Sequence, residues 1–172
     1  MQALDIAREL VSRASPSRIS NVDVSDYAER MLRSLDFETE RVEYDDENGV
    51  RKVNVIGKKG HGTGGLAFFG HTDTVPADHW AEGEPFQPFV RDGKLYGRGS
   101  CDMKGPDACM MAAANRFKPA DLQRPVYIVL TADEEIGYGG ATSVVARSQL
   151  FQEIKTGRGI IGEPTMLNVV HG

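Results

Sequence analysis

The sequence predicts an α/β fold in which a mixed, mostly parallel sheet carries helices on both faces. The first observation is a continuous apolar run at 125–130, which has the composition of a strand buried on both faces. The second is the alternation of strand-like and helix-like segments through the second half of the chain. Such alternation is typical of parallel strands joined by crossover helices.

The first half of the chain is predicted to supply two helices followed by a hairpin. Apolar residues at helical spacing predict a helix over 2–13, and a second helix runs from N-cap candidates at 21–23 to about Leu35. A weakly alternating strand is expected over 37–44 and another around 53–56. The Asn-Gly pair between them is a hairpin signal.

The second half contains short apolar strands that each end beside charged side chains. These strands are predicted at 66–70, 124–131 and 160–162. A helix is expected to begin near Pro106, since proline suits the first turn, and another is expected over 141–151. Residues 167–171 resemble the start of a further strand.

Composition argues against several classes of protein. The net charge of −5, with scattered basic residues, argues against nucleic-acid binding. No apolar stretch approaches the roughly 20 residues that span a bilayer, and the N-terminal residues lack the pattern of a signal peptide. Cys101 and Cys109 do not form a CxxC motif. We therefore expect a cytoplasmic protein with no membrane partner and no structural disulfide.

Candidate ligands follow the predicted strands of the second half. His71 and Asp73 follow the first of these strands, Glu134 and Glu135 the second, and Glu163 the third. Asp102 lies in a glycine-rich bend before a helix. Because sites in open α/β sheets form outside the carboxyl ends of the strands, we expect these side chains to meet there.

One imidazole with several carboxylates suits Zn²⁺, Co²⁺ or Mn²⁺. Carboxylates gathered without a cation would repel one another, so two divalent ions are expected, with Asp102 as a possible bridge. Two such ions can activate water and polarise a carbonyl, which is the chemistry of amide hydrolysis. One carboxylate must then stay free to act as a base, and neighbouring glutamates such as Glu134 and Glu135 can divide these roles.

Each residue taken alone also has a structural interpretation. A single histidine such as His71 is more often structural than a ligand, and Asp73 could cap a turn. Asp102 could be a helix N-cap, and the acidic pair after the strand could be solvated. Cys101 is expected to be a packed small residue, since no histidine stands nearby in sequence to activate it.

Four runs together resemble the M20 family of metallopeptidases, in particular the branch of acetylornithine deacetylase and succinyl-diaminopimelate desuccinylase. They are residues 71–76, 97–105, 131–135 and 162–165. The resemblance covers essentially the whole chain and implies a zinc-peptidase-like catalytic domain.

The resemblance also implies a role for each candidate in a two-zinc site. His71 and Glu163 would bind one zinc, Glu135 the other, and Asp102 would bridge both. Asp73 would orient His71, and Glu134 would be the general base. The peptide between Asp102 and its successor, Met103, would be cis.

Members of the family continue beyond the fourth run into a dimerising lid domain and then return with a further histidine ligand. His171 matches neither that histidine nor the one supplied by the lid. We therefore expect residues 1–172 to be the N-terminal portion of a C-terminally truncated catalytic domain, without the lid through which the family forms homodimers.

The expected function is zinc-dependent cleavage of the amide bond of an N-acyl amino acid, with an acetylornithine-like substrate first. Desuccinylation and di- or carboxypeptidase activity are the alternatives within the family. Two alternatives belong to other classes of protein. One is an inactive metal-binding fragment, and the other is an interaction module whose acidic residues are merely solvated.

Overall fold

The computed structural model describes residues 2–155, 157–166 and 168–170. The strands are β1 (Glu38–Asp45), β2 (Arg51–Lys59), β3 (Leu66–His71), β4 (Phe89–Arg91), β5 (Lys94–Tyr96), β6 (Val126–Thr131) and β7 (Arg158–Ile161). The helices are α1 (Ala3–Val11), α2 (Val22–Ser34), α3 (Lys104–Ala114), α4 (Gly139–Arg147) and α5 (Gln149–Ile154). A short 3-10 helix covers Pro119–Asp121.

The main sheet has five strands in the order β1-β2-β6-β3-β7. β3 pairs in parallel with β6 on one side and with β7 on the other. β2 is antiparallel to both β1 and β6, so it alone runs against the other four strands. β4 and β5 form a separate antiparallel hairpin. The predicted mixed, mostly parallel α/β sheet is confirmed.

Side-chain alternation along the central strands divides the core into two layers. In β6, Ile128 and Leu130 pack in the cluster that also holds the apolar faces of α1, α2 and α3. Tyr127 and Val129 belong to the opposite cluster, with residues of α4 and α5. The central strand is therefore buried on both faces, as its unbroken apolar run predicts.

The predicted helix at 141–151 is two helices, because the chain becomes extended at Ser148, where ψ is 128°. The carboxylate of Glu40 accepts hydrogen bonds from the hydroxyl of Ser148 at 2.7 Å and from the backbone N–H groups of Gln149 at 2.8 Å and Leu150 at 2.9 Å. Glu40 therefore occupies the anion-binding N-terminus of α5, where the first N–H groups need partners.

Two other boundaries differ from the sequence-based expectation. α3 begins at Lys104, ahead of Pro106. Residues 168–170 are not a strand, while residues 167 and 171, the other parts of that prediction, lie outside the described residues. Among the helices that the structure describes, none is long and apolar enough to cross a bilayer.

Candidate metal centre

The candidate ligands lie at one edge of the sheet because three parallel strands end there side by side. β3 is the middle strand of the three, and His71 at its end pairs in register with Thr131 at the end of β6. The loop after β6 carries Glu134 and Glu135, and the segment after β7 carries Glu163. Asp102 reaches the same edge from the turn that precedes α3.

Three carboxylates surround one nitrogen of His71. Nε2 lies 3.1 Å from Oδ1 of Asp102, 3.6 Å from Oε1 of Glu163 and 3.8 Å from Oε2 of Glu134. The potential ligand atoms of His71, Asp102 and Glu163 all fall within 4.8 Å of one another. His71 is buried, whereas the side chain of Asp102 is 47% exposed. The cluster is therefore buried on the side of His71 and open to solvent on the side of Asp102.

The other nitrogen of His71 is held by Asp73. Nδ1 lies 2.9 Å from the backbone carbonyl oxygen of Asp73 and 3.4 Å from its Oδ1. A proton on Nδ1 can be donated to these oxygens, so Nε2 faces the carboxylates and can offer its lone pair to a metal ion once its own proton has left. Ligating histidines are oriented in this way by an acceptor behind the ring.

Asp73 also holds the acidic loop, a contact that the sequence did not predict. Its Oδ1 accepts the backbone N–H of Glu134 at 3.1 Å, and its Oδ2 accepts that of Glu135 at 3.2 Å. The hydroxyl of Ser17 donates to Oδ2 at 2.7 Å. Burial alone would raise the pKa of Asp73, but the hydrogen bonds with His71 and Ser17 outweigh it and lower the pKa. Asp73 is therefore a buried, ionised anchor.

The charge of the cluster fits a divalent cation. Burial lowers the pKa of His71, but the hydrogen bond and charge of Asp73, with further carboxylates, outweigh it and raise the pKa to about 10. Burial and the charge of Asp102 raise the pKa of both Glu135 and Glu163. Without a cation these carboxylates destabilise one another, and an imidazole with carboxylate oxygens is a suitable ligand set for a metal such as zinc.

Two further expectations concern this centre. The peptide between Asp102 and Met103 is cis, as the resemblance implies. Glu135 lies near enough to feel the charge of Asp102, but it is not in the compact group that His71 forms with its nearest partners. His171 lies outside the described residues.

The expectation that Cys101 is packed is wrong. Cys101 and Cys109 are both free and exposed. Both line an open cavity of about 770 Å³ between α1, the start of α3 and the segment after β7, and Glu163 lines it too. The bend before α3 turns the thiol of Cys101 outward, while the following residue, Asp102, points to the cluster.

Comparisons with known proteins place the chain in a family. Residues 67–171 match the model of peptidase family M20/M25/M40. Acetylornithine deacetylase of Myxococcus xanthus is 40% identical over 166 residues, which cover 92% of this chain and 41% of that protein. Acetylornithine deacetylase of Klebsiella pneumoniae is 36% identical over 177 residues, covering 97% and 44%. The chain thus spans about two fifths of the length of these curated relatives.

Solved structures show the same fold. Human carnosine dipeptidase 1 superposes with a TM-score of 0.76 at 23% identity, covering 92% of this chain and 37% of that one. The M20 family metallo-carboxypeptidase Sso-CP2 from Sulfolobus solfataricus gives a TM-score of 0.74 at 18% identity, covering 94% and 37%. The family match, the identity to deacetylases and the shared fold agree with the four motifs at the sheet edge, and the chain belongs to peptidase family M20/M25/M40.

Proposed function

We propose that this protein takes part in metal-dependent hydrolysis of the amide bond of an N-acyl amino acid, with an acetylornithine-like compound as the first candidate substrate. The observation that carries the proposal is the group of His71, Asp102 and Glu163, whose ligand atoms lie within 4.8 Å of one another. The identity to proteins named acetylornithine deacetylase supports the choice of substrate.

His71 and Glu163 would hold one metal ion, Glu135 would hold a second, and Asp102 would contact both. Zinc is the proposed metal, and Co²⁺ or Mn²⁺ would suit the same ligands. When bound, such ions lower the pKa of a water molecule and polarise the carbonyl of the substrate. The buried Nδ1 contact with Asp73 keeps Nε2 of His71 turned toward the site throughout.

Glu134 is the proposed general base. Its Oε2 lies 3.8 Å from Nε2 of His71, and its side chain is 32% exposed, so a water molecule at the cluster can reach it. Glu134 accepts a proton from the attacking water and delivers it to the leaving amine. The hydrogen bond from its backbone N–H to Asp73 holds the base in place.

We also propose that these residues form the N-terminal portion of a catalytic domain. The relatives are more than twice as long as the segment that matches them, since the match covers 41% of one and 44% of another. Residues outside this segment would then complete the second metal site and contribute to choosing the acyl group and the amine.

Zinc titration by calorimetry and an assay of amine release from N-acetylornithine and N-succinyl-diaminopimelate test the proposal. We expect zinc binding that is lost in His71→Ala. In a protein that turns over substrate, Glu134→Gln should retain zinc and lose hydrolysis. Hydrolysis retained by Glu134→Gln would refute the assignment of the base, and no zinc binding by the unaltered chain would refute the metal centre.

A metal-binding segment without hydrolytic activity is the second candidate. Its support is that Glu135 lies outside the compact group, which leaves the second metal with fewer ligands among the described residues. It predicts one tightly bound zinc and no amine release. Turnover by this chain alone would exclude it.

A further inference from the structure

Asp133 directly precedes the proposed base and ligand pair, and its backbone is left-handed with φ of 56°. Aspartate tolerates this conformation better than most residues, although glycine adopts it more easily. Asp133 is only 4% exposed. Its Oδ2 accepts the hydroxyl hydrogen of Tyr44 at 2.7 Å, and its Oδ1 accepts from Nζ of Lys52 at 2.7 Å.

Lys52 connects this contact to the other anchor of the acidic loop. It is 1% exposed, and its ammonium group also donates to the carbonyl oxygens of Ser17 and, at 3.0 Å, of Ile19. The hydroxyl of the same Ser17 donates to Asp73, the carboxylate that holds the backbone N–H groups of the loop. One buried cation thus joins the residue before Glu134 to the segment that fixes Asp73.

Hydrogen bonds also hold both ends of the loop that follows β6. The side chain of Asn54 accepts the backbone N–H of Ala132 at 2.9 Å. The carbonyl oxygen of Asp133 accepts the N–H of Tyr138 at 2.8 Å. The left-handed turn at Asp133 is therefore fixed from both sides, so its side-chain contacts set the direction in which the following two residues leave β6.

We propose that the buried Lys52 and Asp133 and the half-buried Tyr44 are positioning residues, which we call the Asp133 triad, and that they hold Glu134 and Glu135 toward the metal centre. The inference rests on the proposed function of those two glutamates. The Asp133 triad is proposed to act through the backbone of the loop, without touching substrate or metal. Removing the charge of Asp133 leaves the ammonium group of Lys52 with only the more distant carboxylate of Asp46, at 3.8 Å, and weakens the anchor of the loop at Asp133.

Asp133→Asn is the main test, because asparagine has the same shape and also tolerates a left-handed backbone. We expect zinc affinity to fall about tenfold, as is typical when an outer partner of a metal site is altered. We also expect the amide hydrogens of Glu134 and Glu135 to exchange faster with solvent in the metal-free protein. Tyr44→Phe, which removes only one hydrogen bond, should give a smaller change in the same direction.

Two variants separate positioning from general loss of stability. Asp92→Asn replaces another aspartate with positive φ (51°), but in an exposed hairpin turn. Glu29→Gln disturbs a different charge network, in which Glu29 contacts Arg33 and Arg41. Both should keep the zinc affinity and loop exchange of the unaltered protein, even where Glu29→Gln lowers the unfolding midpoint.

Unchanged zinc affinity and unchanged exchange at Glu134 and Glu135 in Asp133→Asn would overturn the proposal. So would an equal loss of affinity in Glu29→Gln. If Asp133→Asn does not fold, Tyr44→Phe decides by the same two measurements. If the unaltered chain binds no zinc, the proposed function fails, and the exchange rates still decide whether the Asp133 triad holds the loop.

Discussion

Replacement of Asp107 by asparagine should shift the stability difference between the variant and the unaltered protein in favour of the variant as the pH rises. Asp107 is 0% exposed, and neither of its carboxylate oxygens has a hydrogen-bond partner among the described residues. It lies so close to β3 that a Cβ atom added to Gly70 would come within 1.9 Å of its Oδ1. Burial raises the pKa of Asp107 well above its usual range, and the charge of His71 only partly opposes this.

The sign of the pH dependence follows from proton binding. In the unfolded chain Asp107 titrates near 3.8, whereas the folded protein keeps the proton to higher pH. Between these two pKa values the folded state binds more protons, so rising pH removes stability at up to about 1.4 kcal/mol per pH unit. Asp107→Asn carries no such proton, so the difference in stability should shift toward the variant by up to about 1.4 kcal/mol for each pH unit over which the folded carboxyl keeps its proton.

Urea unfolding followed by circular dichroism, with a chelator present, measures this difference at each pH. Asp92→Asn is the matched control, since Asp92 is exposed, and its difference from the unaltered protein should stay small at every pH. A difference between Asp107→Asn and the unaltered protein that stays constant from pH 5 to pH 7 would show that Asp107 is not held protonated. A stability difference that shifts against the variant as the pH rises would contradict the expected sign of the pH dependence.

The remaining predictions concern packing, thiol access and metal binding. Gly140→Ala should destabilise the protein by about 1–3 kcal/mol in urea unfolding, because its Cβ would lie 2.2 Å from a backbone oxygen. Gly139→Ala should cost less, because its Cβ would meet the end of a side chain, the hydroxyl of Tyr44, at 3.0 Å. Cys101 and Cys109 should both react with a chromogenic disulfide reagent without denaturant; a slow reaction would contradict their exposure. Zinc at about 100 times its Kd should stabilise the protein by about 2.7 kcal/mol, and Glu163→Gln should lose most of that gain.

Much of the fold could be predicted because the apolar pattern reports burial directly. The unbroken run before Thr131 identifies a central strand, and the Asn-Gly pair identifies the hairpin between β1 and β2. The break between α4 and α5 could not be predicted in this way. It depends on Glu40, a residue 108 positions away from Ser148, whose carboxylate satisfies the first N–H groups of α5.

Part of the candidate site could likewise be predicted from the sequence, and part could not. Motifs identify the side chains that follow each strand, because polar residues at a strand end stand out against apolar runs. The contacts that hold them leave no local signal: Ser17 reaches Asp73 across 56 positions, and Lys52 reaches Asp133 across 81. A lysine within a strand gives no local indication of which carboxylate it will meet.

The sequence by itself determined the kinds of ligand atom available to this protein, one imidazole and several carboxylates, and the strand that precedes each. Only the tertiary structure decided that they form a centre. Pairing of β3 with both β6 and β7 brings the ends of three strands together and places Nε2 of His71 3.6 Å from Oε1 of Glu163, a residue 92 positions later (163 − 71). The physical reason is that strand order is set by long-range hydrogen bonding and burial, which no local pattern encodes.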